Sequence, residues 1–292
     1  MASIDDRPLV VIVGQTASGK SDLAIRIAKK HNGEVICADS RTVYAGMDIG
    51  TAKPSSEDRR TIPHHLLDLI EPDQTYSASK FKEDSAGVLA DIYSKDKLPI
   101  IVGGTGLYID SLVYDYDFGK APDVQKRLQL QDMELADLQQ KAKELNLNGL
   151  QINFTNRRHL IRAIENGGIV RTKKHLREHT LIVGLSIGKE KLRERISRRN
   201  DHMISTGLKD EVRRLAEKYG WDAPGLNAIA YKEWRGYFEG RETIDEIKKK
   251  MFKDNWQYAR RQKIWFKRDA NIHWFTSTDK LIRQVDQFLI QY

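Results

Sequence analysis

At 292 residues the chain can build one large α/β domain, or one domain with an insertion, and its 40% hydrophobic and 31% charged residues exclude a disordered or fibrous class. No apolar run approaches the roughly 20 residues of a membrane span, MASIDDRP lacks the basic and apolar parts of a secretory leader, and one cysteine, Cys37, excludes an internal disulfide or a cysteine zinc site; a cytoplasmic protein is expected. The net charge of +8 is unevenly spread: residues 1–117 carry 13 Lys+Arg against 18 Asp+Glu and the remainder 36 against 23, so a basic half suited to a polyanion, or to a plain solubilising surface, follows an acidic one.

In chain order, LVVIV (9–13) reads as a buried strand, and GQTASGKS (14–21) follows it with the spacing G-x-x-x-x-G-K-[ST]. SDLAIRIAKK then reads as a helix. A strand, a glycine-rich turn and a helix start leave backbone N–H groups unpaired and aimed at an anion. Gly14, Gln15, Thr16, Ala17, Ser18 and Gly19 form the cradle, Lys20 adds a full positive charge, and the Ser21 hydroxyl is a Mg²⁺ ligand. The loop alone says phosphate with Mg²⁺, and by motif it fits ATP as well as any other phosphate; a nucleotide kinase is the default reading at this point.

The second strand, EVICAD (34–39), ends at Asp39, where open α/β sheets place their ligands. A carboxylate there serves as a general base or a Mg²⁺ ligand; the alternative is a turn aspartate. HLLDLI (65–70) reads as a short strand or a loop. PIIVGG (99–104) is a third strand, and its end, GGTGLY with Thr105, permits close backbone approach to a ligand or simply a tight turn. Residues 118–178 change character, with two helix-period segments, KRLQLQDMELADLQQKAKEL and NRRHLIRAIENGG, inserted before the next strand, TLIVGLSI (180–187). From there to NIHWF (271–275), a possible fifth strand, the chain is helical and basic. The fold class expected is therefore α/β: a P-loop NTPase-like, mainly parallel sheet flanked by helices. Its parts are a first core segment (1–117), a small helical insertion (118–178) and a completing segment with basic helices (179–292).

Taken together, GQTASGKS, DSRTVYAGMDIGTAKP, IPHHLLDLIEPDQTYSASKF and VGGTGLY resemble the signature of the tRNA dimethylallyltransferases, the IPP transferase family. The likeness continues in order through RRHLIRAIE, GLKDEVRRL, AIAYKEW and QYARRQKIWFK, so it covers almost the whole chain. It implies that the loop holds the diphosphate of dimethylallyl diphosphate and that the prenyl group passes to N6 of the adenosine 3′ to the anticodon. It further implies that Asp39 accepts the N6 proton, that Thr105 lies near the target adenine, and that Arg213 joins Lys20 and Mg²⁺ at the leaving diphosphate. An exocyclic adenine amine is a weak nucleophile, and a carboxylate taking its proton as the C–N bond forms supplies roughly 10²–10⁴ in rate; charge building on the diphosphate calls for fixed cations and N–H donors. The tRNA anticodon stem-loop is expected on Asp39, Ser40, Arg41, Thr42 and Thr105, on Arg158, His159 and Arg162 of the insertion, and on Arg260, Arg261, Gln262, Trp265 and Lys267, where cations and aromatics interleave. The alternative for Trp265 and Phe266 is the core, and for Arg213 a solvated helix face.

The sequence departs from the family pattern at Thr42 (usually Gln), Ala230 (usually Gly), Asn255 and Trp256, His159 and Gln125. The loop lysine and serine and Asp39 are intact, so the departures bear on the RNA more than on the chemistry. A prenyltransferase acting on AMP, a P-loop kinase and a non-catalytic RNA-binding relative are the alternatives. The extended basic half argues against the first, and the intact Lys20, Ser21 and Asp39 against the last. A monomer is expected.

Overall fold

The computed structural model describes residues 6–114, 116–118, 123–147, 152–167 and 175–292; the leading MASID, part of the segment read above for a leader, lies outside the described residues. The chain divides into two compact units, Met1–Val113 with Leu176–Tyr292, and Tyr114–His175.

In the larger unit the elements run β1 (Leu9–Gly14), α1 (Lys20–Lys30), β2 (Gly33–Ala38), α2 (Ser56–Thr61), β3 (His64–His65), α3 (Ala78–Ser94), β4 (Leu98–Gly103) and α4 (Gly106–Val113). The smaller unit holds α5 (Val124–Asp132), α6 (Leu135–Glu144) and α7 (Arg157–Glu165). The larger unit resumes with β5 (Thr180–Leu185), α8 (Lys189–Ser205), α9 (Leu208–Tyr219), α10 (Arg235–Phe238), α11 (Ile244–Phe266), β6 (Ile272–Phe275) and α12 (Thr278–Leu289). The six strands are parallel, in the order β3-β2-β4-β1-β5-β6. This is the mainly parallel, helix-flanked sheet expected.

β1, β2 and β4 are buried at every position, which is why they read as continuous apolar runs rather than alternating ones. Leu23, Ala24, Ile27 and Ala28 of α1 and Leu281 and Val285 of α12 pack on Val10, Ile12, Val35, Ile100, Val102 and Val183. The intervening residues Val11, Val13, Ile36 and Ile101 point the other way and are equally buried. Of HLLDLI only His65 belongs to a strand, as the second residue of β3, and Ile70 makes an isolated bridge to Tyr44, because Leu66 and Asp68 take left-handed backbone angles that break a strand. The smaller unit has its own core of Leu130, Leu138, Ala142, Leu147, Leu160, Ile161 and Ile164, closed by a two-point Arg127–Glu165 ion pair at 2.6 Å.

Because the strands are parallel, the C-terminal ends of β1, β2 and β4 lie together. They deliver the glycine-rich loop, Asp39 and the Gly104–Thr105 turn to one edge of the sheet.

Candidate active site

The loop between β1 and α1 folds back on itself, with Ser18 N donating to Gln15 O at 3.2 Å, Ala17 at φ 59° and Gly19 at φ 97°. Gly14 must be glycine: a Cβ there would stand 2.8 Å from Leu185 O, with φ at 152°. No side chain caps the start of α1, so its first N–H groups face the loop's concavity. The Lys20 ammonium donates to Gln15 O at 2.7 Å. Loss of water around it lowers its pKa to about 8, the neighbouring Asp39 carboxylate opposing that fall and Arg199 adding to it.

Two distant helices hold the loop in this shape. From α11, Gln262 accepts from Thr16 N at 2.7 Å and donates to Gly104 O at 3.0 Å, tying the ends of β1 and β4 together; Gln15 Nε2 donates to Ala259 O at 3.0 Å. From α8, Arg195 donates to Ser18 O and Arg199 to Thr16 Oγ1, both at 2.8 Å. Ser18 Oγ and Arg199 Nε are buried without a hydrogen-bond partner. A serine hydroxyl and a guanidinium N–H left over at one loop are the groups an anion would satisfy.

At the end of β2, Asp39 Oδ1 accepts from Arg41 N at 2.8 Å, and Thr105 Oγ1 accepts from Ser40 N at 3.0 Å while Thr105 N donates to Ala38 O. Thr105 therefore braces the Asp39 turn from behind. Burial raises the Tyr258 phenol well above its usual range, the Asp39 charge adding to it, so Tyr258 presents a neutral hydroxyl within hydrogen-bonding reach of Thr105.

Two cavities of about 280 Å³ each adjoin here. The first is lined by Thr16 to Asp22, Cys37, Asp39, Thr42, Thr51, Ala52, Gly103, Gly104, Arg199, Tyr258 and Gln262. Ser40, Arg41, Gly50, Asn227, Ile229, Lys232, Asn255 and Arg261 line the second. Thr16, Asp39, Thr51, Arg199 and Tyr258 belong to both. Burial pushes the Cys37 thiol up to about 12, so it is an inert wall.

Several residues expected to act together stand apart. Arg213 is not at the loop: it lies on the exposed face of α9, 3.6 Å from Asp210 and over the Phe238 ring, because Val212 and Leu215 claim the inward positions of that helix. The arginine brought to the loop is Arg199, whose signal was present in the sequence: with Leu192, Ile196, Asn200 and Met203 it sits on the inward stripe of α8, a cation where the helical period calls for an apolar residue. Gln262, expected to face RNA, is instead a buried clip, and its backbone-facing amide explains why Gly104 has no side chain: a Cβ would lie 2.0 Å from Gln262 Nε2. Thr42 is buried as well, its hydroxyl donating to Asp39 O at 3.3 Å, so it belongs to the first cavity rather than to an outer face. Arg260 and Lys267 are exposed. Arg261 reaches the second cavity and covers the Tyr258 ring. Trp265 is neither fully core nor free: it is 38% exposed, packs so close to Gly106 that a Cβ there would lie 2.2 Å from its ring, and donates to Asp110 at 3.1 Å, whereas Phe266 is core. Arg158, His159 and Arg162 share the exposed side of α7 in the smaller unit.

The family model described as IPP transferase matches residues 42–269. A tRNA dimethylallyltransferase of Anoxybacillus flavithermus is 40% identical over 294 residues, covering 96% of this chain and 94% of its own length. One from Acetivibrio thermocellus is 37% identical over 308 residues, covering 97% and 98%. Among solved structures, the full-length tRNA isopentenylpyrophosphate transferase of Bacillus halodurans superposes with a TM-score of 0.74 at 33% identity, covering 97% of this chain and 96% of that one. A eukaryotic dimethylallyltransferase acting on tRNA superposes with a TM-score of 0.77 at 26% identity, covering 89% and 70%. With a family model over most of its length and full-length relatives at this identity, the chain belongs to the IPP transferase family, the tRNA dimethylallyltransferases.

Proposed function

We propose that the chain transfers a dimethylallyl group from dimethylallyl diphosphate to N6 of the adenosine 3′ to the anticodon of a tRNA, in the cytoplasm and as a monomer. The observation that carries this reading is the pair of cavities sharing Asp39, Thr16, Thr51, Arg199 and Tyr258. One has the phosphate loop as its floor, and the other opens beside Arg41, Lys232 and Arg261, cations suited to an RNA backbone. A nucleotide kinase needs a second cationic site for the acceptor's phosphate; here a carboxylate and a phenol stand at the junction.

In this reading the diphosphate lies on the loop amides, Lys20 and Arg199, and supplies the partner that Ser18 Oγ and Arg199 Nε lack. The adenine enters the second cavity, which requires it to leave its stack. N6 attacks C1 of the donor and the C1–O bond breaks, its electron pair leaving with the diphosphate. The N6 proton goes to Asp39, held in place by Arg41 N. Negative charge grows on the leaving group where the fixed cations and N–H donors are already arranged. Hard oxygen ligands also line the first cavity, the Ser21 hydroxyl and the Asp22 carboxylate, which with the diphosphate oxygens suit Mg²⁺. Bound there, Mg²⁺ would neutralise part of the diphosphate charge.

The test is a transfer assay with radiolabelled dimethylallyl diphosphate and Mg²⁺, offering unmodified tRNA with an adenosine 3′ to the anticodon, AMP, or no acceptor. Label in tRNA alone is expected. Label in AMP alone would move the activity to a free nucleotide, and no label together with tight ATP binding would return the loop to a kinase.

A further inference from the structure

Between the two cavities runs the short segment Asp48–Ala52, from the MDIGTA stretch. Gly50 and Thr51 line the second cavity, Thr51 and Ala52 the first, and Asp48, Ile49 and Ala52 a third hollow on the far side. The segment makes no strand or helix; it turns on two backbone bonds, Ala52 N to Ile49 O and Lys53 N to Asp48 O, both 3.0 Å, which leave its first N–H groups without a backbone partner. Three consecutive N–H groups, of Asp48, Ile49 and Gly50, all point at one carboxylate, that of Glu211 on α9. Oε2 accepts from Asp48 N at 3.0 Å and Ile49 N at 2.9 Å; Oε1 accepts from Gly50 N at 3.0 Å and from the Tyr231 hydroxyl at 2.6 Å. Glu211 is 6% exposed and, among the described residues, forms no ion pair; its carboxylate is met by backbone N–H groups and one phenol. Such a concavity of successive N–H groups is an anion nest, normally filled by a ligand and here filled by the protein itself. Tyr231 completes the clamp, its ring so close over Gly50 that a Cβ there would lie 2.4 Å away.

We infer that Glu211 is a positioning residue for the reaction: it fixes segment 48–52, whose Thr51 borders both cavities, as the wall that holds the acceptor against the donor's C1 and keeps water from it. The inference rests on the proposed prenyl transfer. A loosened wall has a defined chemical consequence. Water takes the place of N6, its oxygen bonds to C1, the C1–O bond to diphosphate breaks with its electron pair on the diphosphate, and the water proton goes to Asp39 or to solvent. The donor is then lost as dimethylallyl alcohol and diphosphate.

Glu211→Gln keeps the shape but turns an NH₂ toward donors that need an acceptor. Transfer is expected to fall by roughly 10²-fold, the scale of an ångström misplacement of reacting groups, while the ratio of diphosphate released to prenyl transferred rises and inorganic diphosphate still binds the loop as in the unaltered chain. Tyr231→Phe, which removes one donor and leaves the carboxylate in place, should shift the same ratio less. Hydrogen exchange at the amides of residues 48–50 should quicken in Glu211→Gln while those of β1 do not change. Should the glutamine variant fail to fold, Glu211→Asp provides the same readouts with a retracted carboxylate. Unchanged exchange at 48–50, or an unchanged release-to-transfer ratio, overturns the inference. Failure of the proposed function shows differently, as no transfer by the unaltered chain, and the exchange experiment then still decides whether Glu211 holds the wall.

Discussion

The two walls of the candidate site are built on opposite principles. On one side, the glycine-rich loop is held from within: Thr16, the Ser18 carbonyl and Lys20 find partners in the protein, and Gln262 and Arg199 hold the loop from two helices. On the other side, at the second cavity, Arg261 lies exposed on α11, a long side chain in water. A site for a small, highly charged diphosphate has its hydrogen-bond geometry set before the ligand arrives. A surface for a long polyanion needs only charge at roughly the right spacing and relies on counterion release. Between them lies an organised island in the acceptor wall, where Glu233 accepts from Ala230 N, and Lys232 pairs with Asp254 at 2.7 Å.

The largest break in this picture should come from Asp39→Asn, at the junction of the two walls. Turnover should fall by roughly 10²–10⁴-fold, with diphosphate affinity retained. Steady-state kinetics beside a calorimetric titration with diphosphate would check it, and unchanged turnover would remove the base from Asp39.

Next in size is the clip. Gln262→Leu leaves Thr16 N buried without its partner and Gly104 O with only the Tyr258 hydroxyl at 3.4 Å, and should cost on the order of 1–3 kcal/mol of stability, read as a lowered denaturant midpoint, together with a raised donor KM. If RNA affinity changes and donor affinity does not, Gln262 belongs to the acceptor wall after all.

Glu233 tests the island. Burial raises its pKa to about 7, against 4.5 for an exposed glutamate. Folded chain thus keeps a proton that unfolded chain releases between those values, and this group's contribution to stability declines as pH rises from 4.5 through 7. Glu233→Gln, neutral throughout, should match the unaltered chain near the acid end and exceed it by on the order of 1–3 kcal/mol at about pH 8, measured by urea melts across pH.

The exposed cations should give a smaller effect, and one that depends on salt. Replacing Arg158 and Arg162 with Ala should raise the tRNA KM several-fold and make the log–log salt dependence shallower by roughly 1–2, leaving the donor KM alone. An effect confined to the donor would contradict an RNA role for α7. The smallest is Ala230→Gly: Ala230 holds φ at 77°, so glycine should raise stability by roughly 0.5–1 kcal/mol, seen as a small rise in Tm.

Much of the donor side was legible in the chain because its parts are contiguous. GQTASGKS lies on one strand–turn–helix, and an apolar run before it with a helical period after it can be read directly. The strands were legible for the same reason, except at HLLDLI, where two left-handed residues curtail the pairing. Arg213 and Arg199 show the limit. Both are arginines on basic helices, and only the pattern of apolar neighbours tells the outward one from the inward one. Gln262 lay on a readable stripe with Asn255, Ala259 and Phe266, yet an amide among arginines looks like an RNA contact until its partners are seen.

The sequence by itself determined the parallel sheet, the strand–turn–helix course of its first loop and the family, since these depend on local periodicity and on motifs a few residues long. Only the tertiary structure decided which cation meets the loop, that Gln262 ties it to β4, and that Glu211 holds the segment between the cavities. Those contacts join residues 158 to 246 positions apart, from Gly104 with Gln262 to Thr16 with Gln262, and nothing local marks such pairs. They form because α8, α9 and α11 bury their apolar stripes around the sheet and the loops at its edge, and the polar groups carried along with those stripes must find partners where the packing leaves them.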